Sequence, residues 1–336
     1  MADIRKPSLL KALGTMLGEN VNDAAYSVEV LQGGTVSDVV KVSGSATSNS
    51  AGCPFDMVVK TQRKWDRFGD ANSWRREYDI YRHGLVEQLP QTIRLPACYL
   101  LEEEADVTRI WMEYVQGKTG SEQLHADELA LAAERLGALQ AEFSLRGPRD
   151  LPYLRPCPAA RPSFEHWWGR MRKPLQTPID GFPEGIRNAL NESAARAESL
   201  FETLDRLPVT LCQGDVHHDN LILKGAGKDT RVYLIDWDCA GYGRLGEDAV
   251  DLLLEAFVYS DRDVSLLPEF RKRIMEGYCA GVQKGGIPFV MEDALVRGLF
   301  VLAWGYRVAD LYLYYRDERS KARCADILRR MLQGDA

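Results

Sequence analysis

At 336 residues the chain is long for one compact core and divides more naturally into two lobes. Its 45% hydrophobic and 27% charged residues are those of an ordinary globular protein, and a formal net charge of −7 argues against nucleic acid or an anionic membrane as the main partner. Seven scattered cysteines, an odd number with no C-x-x-C, argue against a disulfide framework and for reduced thiols in a cytosol.

The N-terminal stretch lacks the sustained apolar run of a signal peptide, and Leu9, Leu10, Leu13 and Leu17 recur at the spacing of a short amphipathic helix. Alternating patterns over Tyr26–Gln32 and Val36–Gly44 predict two strands that turn at Gly33-Gly34. After a Ser/Ala/Gly-rich connection, Phe55–Gln62 reads as a third strand. A helix over Ala71–Arg82 puts Trp74, Glu77, Tyr78 and Tyr81 on one face, with His83-Gly84 as its cap. Two more strands follow, Ala97–Glu104 and Arg109–Val115.

Beyond Gly117 the period changes from two to 3.6. Leu129, Ala133, Leu136, Leu139 and Phe143 form one helical stripe, and Ile186, Leu190, Ala194, Ala197, Phe201 and Leu204 form a second. "NLILK" and "RVYLIDW" read as a small strand pair around "GAGKDT", and from about Gly246 the chain is helical. The richest late run, Gly298–Trp304, is far too short to span a bilayer, so a soluble, cytoplasmic protein is expected. The pattern predicts an α+β protein with a small antiparallel-sheet lobe, residues 1–115, and a larger, mainly helical lobe, residues 116–336.

The segment "LCQGDVHHDNLIL", Leu211–Leu223, concentrates the polar chemistry. Asp215 and Asn220 stand five residues apart (220 − 215) on a loop leaving a strand. That spacing lets a carboxylate meet a hydroxyl while an asparagine oxygen holds a metal, although Asp and Asn also build plain turns. Asp236 follows Asp215 by 21 residues (236 − 215) and comes at the end of an apolar strand, where a carboxylate joins Asn in holding Mg²⁺ against phosphates. Asp238 is a second such carboxylate. Lys60 faces opposite to Val59 in the third strand and would reach phosphates as a point charge, with Glu77 as its ion-pair partner. Two solvent-exposed charges are the plainer reading of that pair. Gly33 and Gly34, with Thr35 and Ser37, would bring backbone N–H groups to phosphate oxygens, as any hairpin glycine pair would also permit.

Taken in order, these segments resemble the aminoglycoside phosphotransferase and choline kinase family, with its protein-kinase-like fold. The resemblance is strongest over Gln213–Leu252, against the family's H-G-D-x-H-x-x-N and I-D-[WF]-[ED] patterns, and extends over roughly residues 26–255. It implies an ATP-dependent phosphotransferase acting on a hydroxyl of a small molecule, with GTP as the other nucleotide option. The acceptor would be aminoglycoside-like or an amine-bearing metabolite such as choline, an amino sugar or a hydroxy amino acid. Asp215 would be the catalytic base, Asn220 and Asp236 the Mg²⁺ ligands, and Lys60, braced by Glu77, the phosphate contact. Backbone groups of Glu113 and Val115 would pair with the adenine edge, and Asp251 would anchor the catalytic region.

One departure is Gln213, where the family has histidine. A glutamine still donates and accepts hydrogen bonds, yet the change leaves a catalytically impaired, nucleotide-binding member as the alternative. His217 is expected to brace the loop, and His218 to be solvated or near the acceptor. A zinc hydrolase built on that pair, and a protein kinase, are the other rivals; the latter lacks D-F-G and room for an activation segment. The acceptor pocket is expected among Glu255, Tyr259, Trp304, Tyr306, Arg307, Asp310 and Tyr312. There Trp304 and Tyr312 with Asp310 would enclose an ammonium group, although aromatics at helical spacing also serve as core.

Overall fold

A computed structural model describes residues 4–31, 37–48, 52–65, 70–90, 93–147, 151–155 and 160–333. The elements begin α1 (Lys6–Leu17), β1 (Asp23–Val30), β2 (Ser37–Thr47), β3 (Cys53–Arg63), α2 (Ser73–Arg82), β4 (Ile93–Arg94), β5 (Cys98–Glu104) and β6 (Val107–Glu113). Helices α3 (Ala126–Arg146), α4 (Ala160–Met171), α5 (Glu184–Ala195) and α6 (Ala197–Asp205) follow. Short strands β7 (Val209–Cys212), β8 (Leu221–Lys224), β9 (Arg231–Leu234) and β10 (Gly241–Arg244) come next. The chain ends in α7 (Glu247–Val258), α8 (Leu267–Lys284), α9 (Asp293–Phe300), α10 (Tyr306–Tyr314) and α11 (Glu318–Gln333). No helix among the described residues is long and apolar enough to cross a membrane.

The chain forms two compact units. The first contains Met1–Leu89, Arg94–Gly117 and Lys224–Asp238, so the β9 segment groups with it. Its sheet is antiparallel in the order β1-β2-β3-β6-β5. Alternation in β3 sends Phe55, Met57 and Val59 to one face, where they pack with Val40, Val42 and Trp111 under Leu9 and Leu13 of α1. The opposite face carries Lys60, which is buried all the same. Helix α2 is buried nearly all round, and its buried side chains include the charged Arg76, Glu77 and Asp79 beside Trp74, Tyr78 and Tyr81.

The second unit contains Pro90–Ile93, Lys118–Leu223 and Cys239–Ala336. Helices α3 and α8 are its tightest pair. A Cβ built on Gly281 of α8 would lie 1.9 Å from the Glu134 carbonyl oxygen of α3, so only glycine permits this approach. Leu129, Ala133, Leu136 and Leu139 of the first predicted stripe are buried, and Phe143 is half-buried. The second stripe spans two helices rather than one. Arg196 leaves helical geometry at φ −104° and ψ 6°, and its N–H bonds back to the Ser193 carbonyl oxygen at 3.1 Å. A stripe records which side is buried, and a single non-helical residue between two helices does not erase it.

Between α9 and α10, Val301–Gly305 winds as a π-helix. Such a turn inserts an extra residue and re-aims the side chains that follow, and it is frequent at functional sites. Trp304 lies within it. Strand β7 pairs antiparallel with β10, Cys212 opposite Gly241, and the polar loop leaves the end of β7.

Candidate active site

In the first unit the Lys60 Nζ lies 2.5 Å from a Glu77 carboxylate oxygen and 2.6 Å from an Asp236 oxygen. Lys60 is 6% exposed and Glu77 1% exposed. Burial alone would lower the lysine pKa, but the carboxylates of Asp236, Glu77 and Asp238 outweigh it and raise the value, so the ammonium stays charged. The Asp236 carboxylate keeps a partly exposed face, at 33%. Its backbone sits at φ +59°, the left-handed region that costs a non-glycine residue roughly 1 kcal/mol or more. Such a conformation persists where the surroundings hold it. Arg76 supplies part of that hold, its guanidinium donating to the Asp238 carbonyl oxygen at 2.5 Å and to both Asp70 carboxylate oxygens at 2.8 Å.

At the end of β6, the Glu113 N–H donates to the Ala97 carbonyl oxygen at 2.8 Å, and Glu113 lies opposite Met57 of β3. Ser37 opens β2 opposite Gln62. Gly33, Gly34 and Thr35 lie outside the described residues.

In the second unit the loop after β7 is held by its own backbone. The buried Asp248 carboxylate, in the first turn of α7, accepts the Gln213 N–H at 2.8 Å and the Gly214 N–H at 3.1 Å. It also accepts from Gln140 Nε2 at 2.8 Å, and Tyr278 donates to the other end of that amide at 2.5 Å. Gln140 comes from α3 and Tyr278 from α8, so the close helix crossing is what brings their side chains together beneath the loop. The Gln213 side-chain oxygen accepts the Asp215 N–H at 2.8 Å, and Asn220 Nδ2 donates to the Asp215 carbonyl oxygen at 2.9 Å. That bond uses the amide nitrogen of the buried Asn220. Gly214 has φ +78°, and a Cβ there would meet the Cys239 carbonyl oxygen at 2.8 Å and an Arg155 nitrogen at 3.0 Å.

Two carboxylates of α7 lie in the electrostatic reach of Asp215. Burial pushes the Asp251 carboxyl up to about 6, against a 2.7 Å hydrogen bond from Trp304 Nε1. Burial likewise raises Glu255, Arg307 offsets only part of this, and the charges of Asp215, Asp251 and Asp219 add to it, giving about 8. The Arg307 guanidinium lies over the Trp304 ring, 4.3 Å from its centroid, with the Tyr259 centroid at 5.0 Å and that of Trp167 at 5.9 Å. Its Nε donates to the Tyr259 hydroxyl at 2.9 Å.

The sequence profile described as the phosphotransferase enzyme family matches residues 27–289. The chain belongs to this family. No match is found among curated protein sequences. Among solved structures, the chain is similar to the GDP and kanamycin complex of APH(2")-IIia, at 15% identity over 97% of this chain and 98% of that one, with TM-score 0.62. It is also similar to a microcompartment-associated aminopropanol kinase, at 15% identity over 96% and 94%, with TM-score 0.57. A choline kinase from Cryptosporidium parvum matches at 14% identity over 92% and 88%, with TM-score 0.57. At such identities the likeness shows the fold, which is α+β and protein-kinase-like. The family itself makes this a small-molecule phosphotransferase.

For this phosphotransferase, three expectations need correction. Asp248, not Asp251, anchors the loop after β7, because the first turn of α7 meets the loop N–H groups while Asp251, one turn on, takes the Trp304 N–H. His218 is buried, at 5%, and burial lowers its pKa; its backbone carbonyl holds Gly120 and Thr119. His217 is half-buried, its Nδ1 accepting the Asp219 N–H at 3.3 Å, and among the described residues no histidine joins a metal-ligand cluster. The proposed cage of Trp304, Tyr312 and Asp310 does not form. Asp310 pairs with Arg170 at 2.9 Å, and the Tyr312 hydroxyl reaches the Asp180 carbonyl oxygen at 3.4 Å. Tyr306 is core, its hydroxyl donating to the Leu190 carbonyl oxygen.

Sequence reading missed Arg76, Gln140, Tyr278 and Arg155, whose partners lie far away in the chain. Nothing local distinguishes a buried helical arginine or glutamine from a solvated one.

Proposed function

We propose that this phosphotransferase moves the γ-phosphate of ATP, or GTP, to a hydroxyl of an amine-bearing small molecule. The observation that carries the reading is the Asp215 loop. Its backbone is held by Asp248, by the Gln213 side chain and by Asn220, which leaves the Asp215 carboxylate and the Asn220 amide oxygen for ligands.

In this reading the acceptor oxygen attacks the γ-phosphorus, the bond to the β,γ-bridging oxygen breaks, and the hydroxyl proton passes to Asp215. Lys60 stands as a point charge for the phosphates, held by Glu77, and Ser37 with Gly33, Gly34 and Thr35 would line them. The Glu113 carbonyl and the Val115 N–H would pair with the base edge. Asn220 and Asp236 are oxygen donors, the type a hard cation such as Mg²⁺ prefers. Bound Mg²⁺ would neutralise charge that develops on the phosphate oxygens. Asp251, buried beside Asp215's charge, favours an ammonium-bearing acceptor over a neutral one. The hydrogen bond from the Asp215 N–H to Gln213 weighs against an impaired, binding-only member, since the glutamine performs the bracing expected of a histidine.

The test is Mg²⁺-dependent ADP release across aminoglycosides, choline, ethanolamine, aminopropanol, amino sugars and homoserine, with Asp215→Ala in parallel. Acceptor-stimulated release that drops by roughly 10²–10⁴-fold in the variant is the expected result. Intact nucleotide binding without stimulation by any acceptor would leave the binding-only reading.

A further inference from the structure

The Arg307 guanidinium is packed on Trp304 and flanked by Tyr259 and Trp167, all within the second unit. Stacking of this kind fixes the plane of the group and leaves its N–H edge to be used, which suits two-point contact with a carboxylate. Only the Nε is bonded within the described residues, to the Tyr259 hydroxyl. The natural internal partner, Glu255, stops at 3.7 Å, beyond a hydrogen bond.

Glu255 is 7% exposed, and among the described residues its carboxyl has no hydrogen-bond partner. With its carboxyl pushed up to about 8, Glu255 holds its proton through much of the neutral range, and its approach to Arg307 at 3.7 Å is a loose ion pair rather than a hydrogen bond. The same carboxyl can then donate a hydrogen bond to an incoming carboxylate. On the same helix Asp251 accepts the Trp304 indole N–H through one oxygen. A cationic receptor fixed by aromatic rings and a buried acid without a hydrogen bond among the described residues thus stand in reach of the charge of the catalytic Asp215.

We infer that the acceptor carries a carboxylate in addition to its hydroxyl and amine, and that Arg307 reads it. The acceptor class is therefore hydroxy amino acids rather than amino alcohols. This rests on the phosphotransfer reading above.

Matched pairs that differ only by the carboxylate test it: homoserine with 3-aminopropanol, threonine with 1-amino-2-propanol, and serine with ethanolamine. ADP release gives kcat/KM, and calorimetry on the Asp215→Ala enzyme loaded with a non-hydrolysable nucleotide gives binding without turnover. The expected result is a preference of roughly 10- to 100-fold for at least one carboxylated member. Arg307→Met should abolish that preference, with a much smaller fall for the decarboxylated partner. Arg307→Lys keeps the charge but loses the planar fork, and should fall between the two. Thermal unfolding of each variant shows whether it folds.

Equal or better use of the amino alcohols by the wild type would overturn the inference, as would a gain on them in Arg307→Met, which would make Arg307 a plug. So would failure of every carboxylated member to bind. Arg307-dependent binding without any ADP release would instead sink the phosphotransfer reading and leave the recognition intact.

Discussion

In the first unit the buried Lys60 ammonium sits between two carboxylates, whereas in the second the buried Glu255 carboxyl finds no hydrogen bond among the described residues. Both groups are out of water, and the physics of the two situations is opposite. A buried charge that meets its counter-charges at hydrogen-bond distance keeps its ionised form, and the lysine pKa rises. A buried acid without such a partner surrenders its charge, and its pKa rises as well. The same direction of shift therefore marks a completed arrangement in one unit and an incomplete one in the other. The first holds its shape before any ligand arrives, while the second has bonding capacity left for one.

Removing one member of the completed set should have the largest effect. Lys60→Ala would strand the Glu77 carboxylate in the interior, and a broken buried pair costs about 3–5 kcal/mol. Urea denaturation should show that loss, and nucleotide affinity should fall with it. The double variant Lys60→Met with Glu77→Gln should regain most of the stability and none of the ATP turnover. A single variant as stable as the wild type would break the comparison, because the triad would then be no more than an exposed pair.

The loop after β7 comes next. Gln213→Ala leaves the Asp215 N–H without its acceptor, worth about 1–3 kcal/mol for a group held away from water. The expected readout is a fall in kcat at nearly constant KM for nucleotide, with Gln213→His restoring the rate. An unchanged kcat in Gln213→Ala would mean that Asp248 and Asn220 alone keep the loop in place.

The smallest effect belongs to Glu255 and appears as a pH dependence. Its folded value, about 8, lies above the ordinary 4.5, so the folded state holds a proton that the unfolded chain has released. Its contribution to stability is fully present below about pH 4.5 and is lost as the pH rises through 8. Arg307, Asp215, Asp251 and Asp219 are the charged groups that set it. Between pH 7 and 9 the wild type should lose about 1–2 kcal/mol relative to Glu255→Gln, followed by denaturant unfolding. Parallel curves would show that Glu255 is ionised and paired, and the contrast with Lys60 would disappear.

Much of the first unit was readable in the residues. Strand alternation located β1, β2, β3, β5 and β6 within a few residues, since a half-buried sheet imposes period two on any chain that forms it. The Lys60–Glu77 pair was only half readable: alternation and helix face allowed it, but exposed charges were the plainer reading, and burial of both residues overturned that one. The Asp251 assignment failed for a reason of geometry. Asp248 and Asp251 are one turn apart on α7, and helical spacing cannot tell which of them faces a loop and which faces Trp304. The Trp304–Asp310–Tyr312 cage failed because Asp310 is taken by Arg170 and the Tyr312 hydroxyl reaches Asp180, partners distant in the chain.

By itself the sequence carried the family: the phosphotransferase profile matches residues 27–289, and the segment from Gln213 to Leu252 resembles the family's motifs. Only the tertiary structure decided who holds the loop after β7. Gln140, Tyr278 and Asp248 meet beneath it where glycine lets α3 and α8 touch, and Arg307 stacks on Trp304 with Tyr259 and Trp167 beside it. These are contacts between residues far apart in the chain, and no local periodicity encodes such a contact.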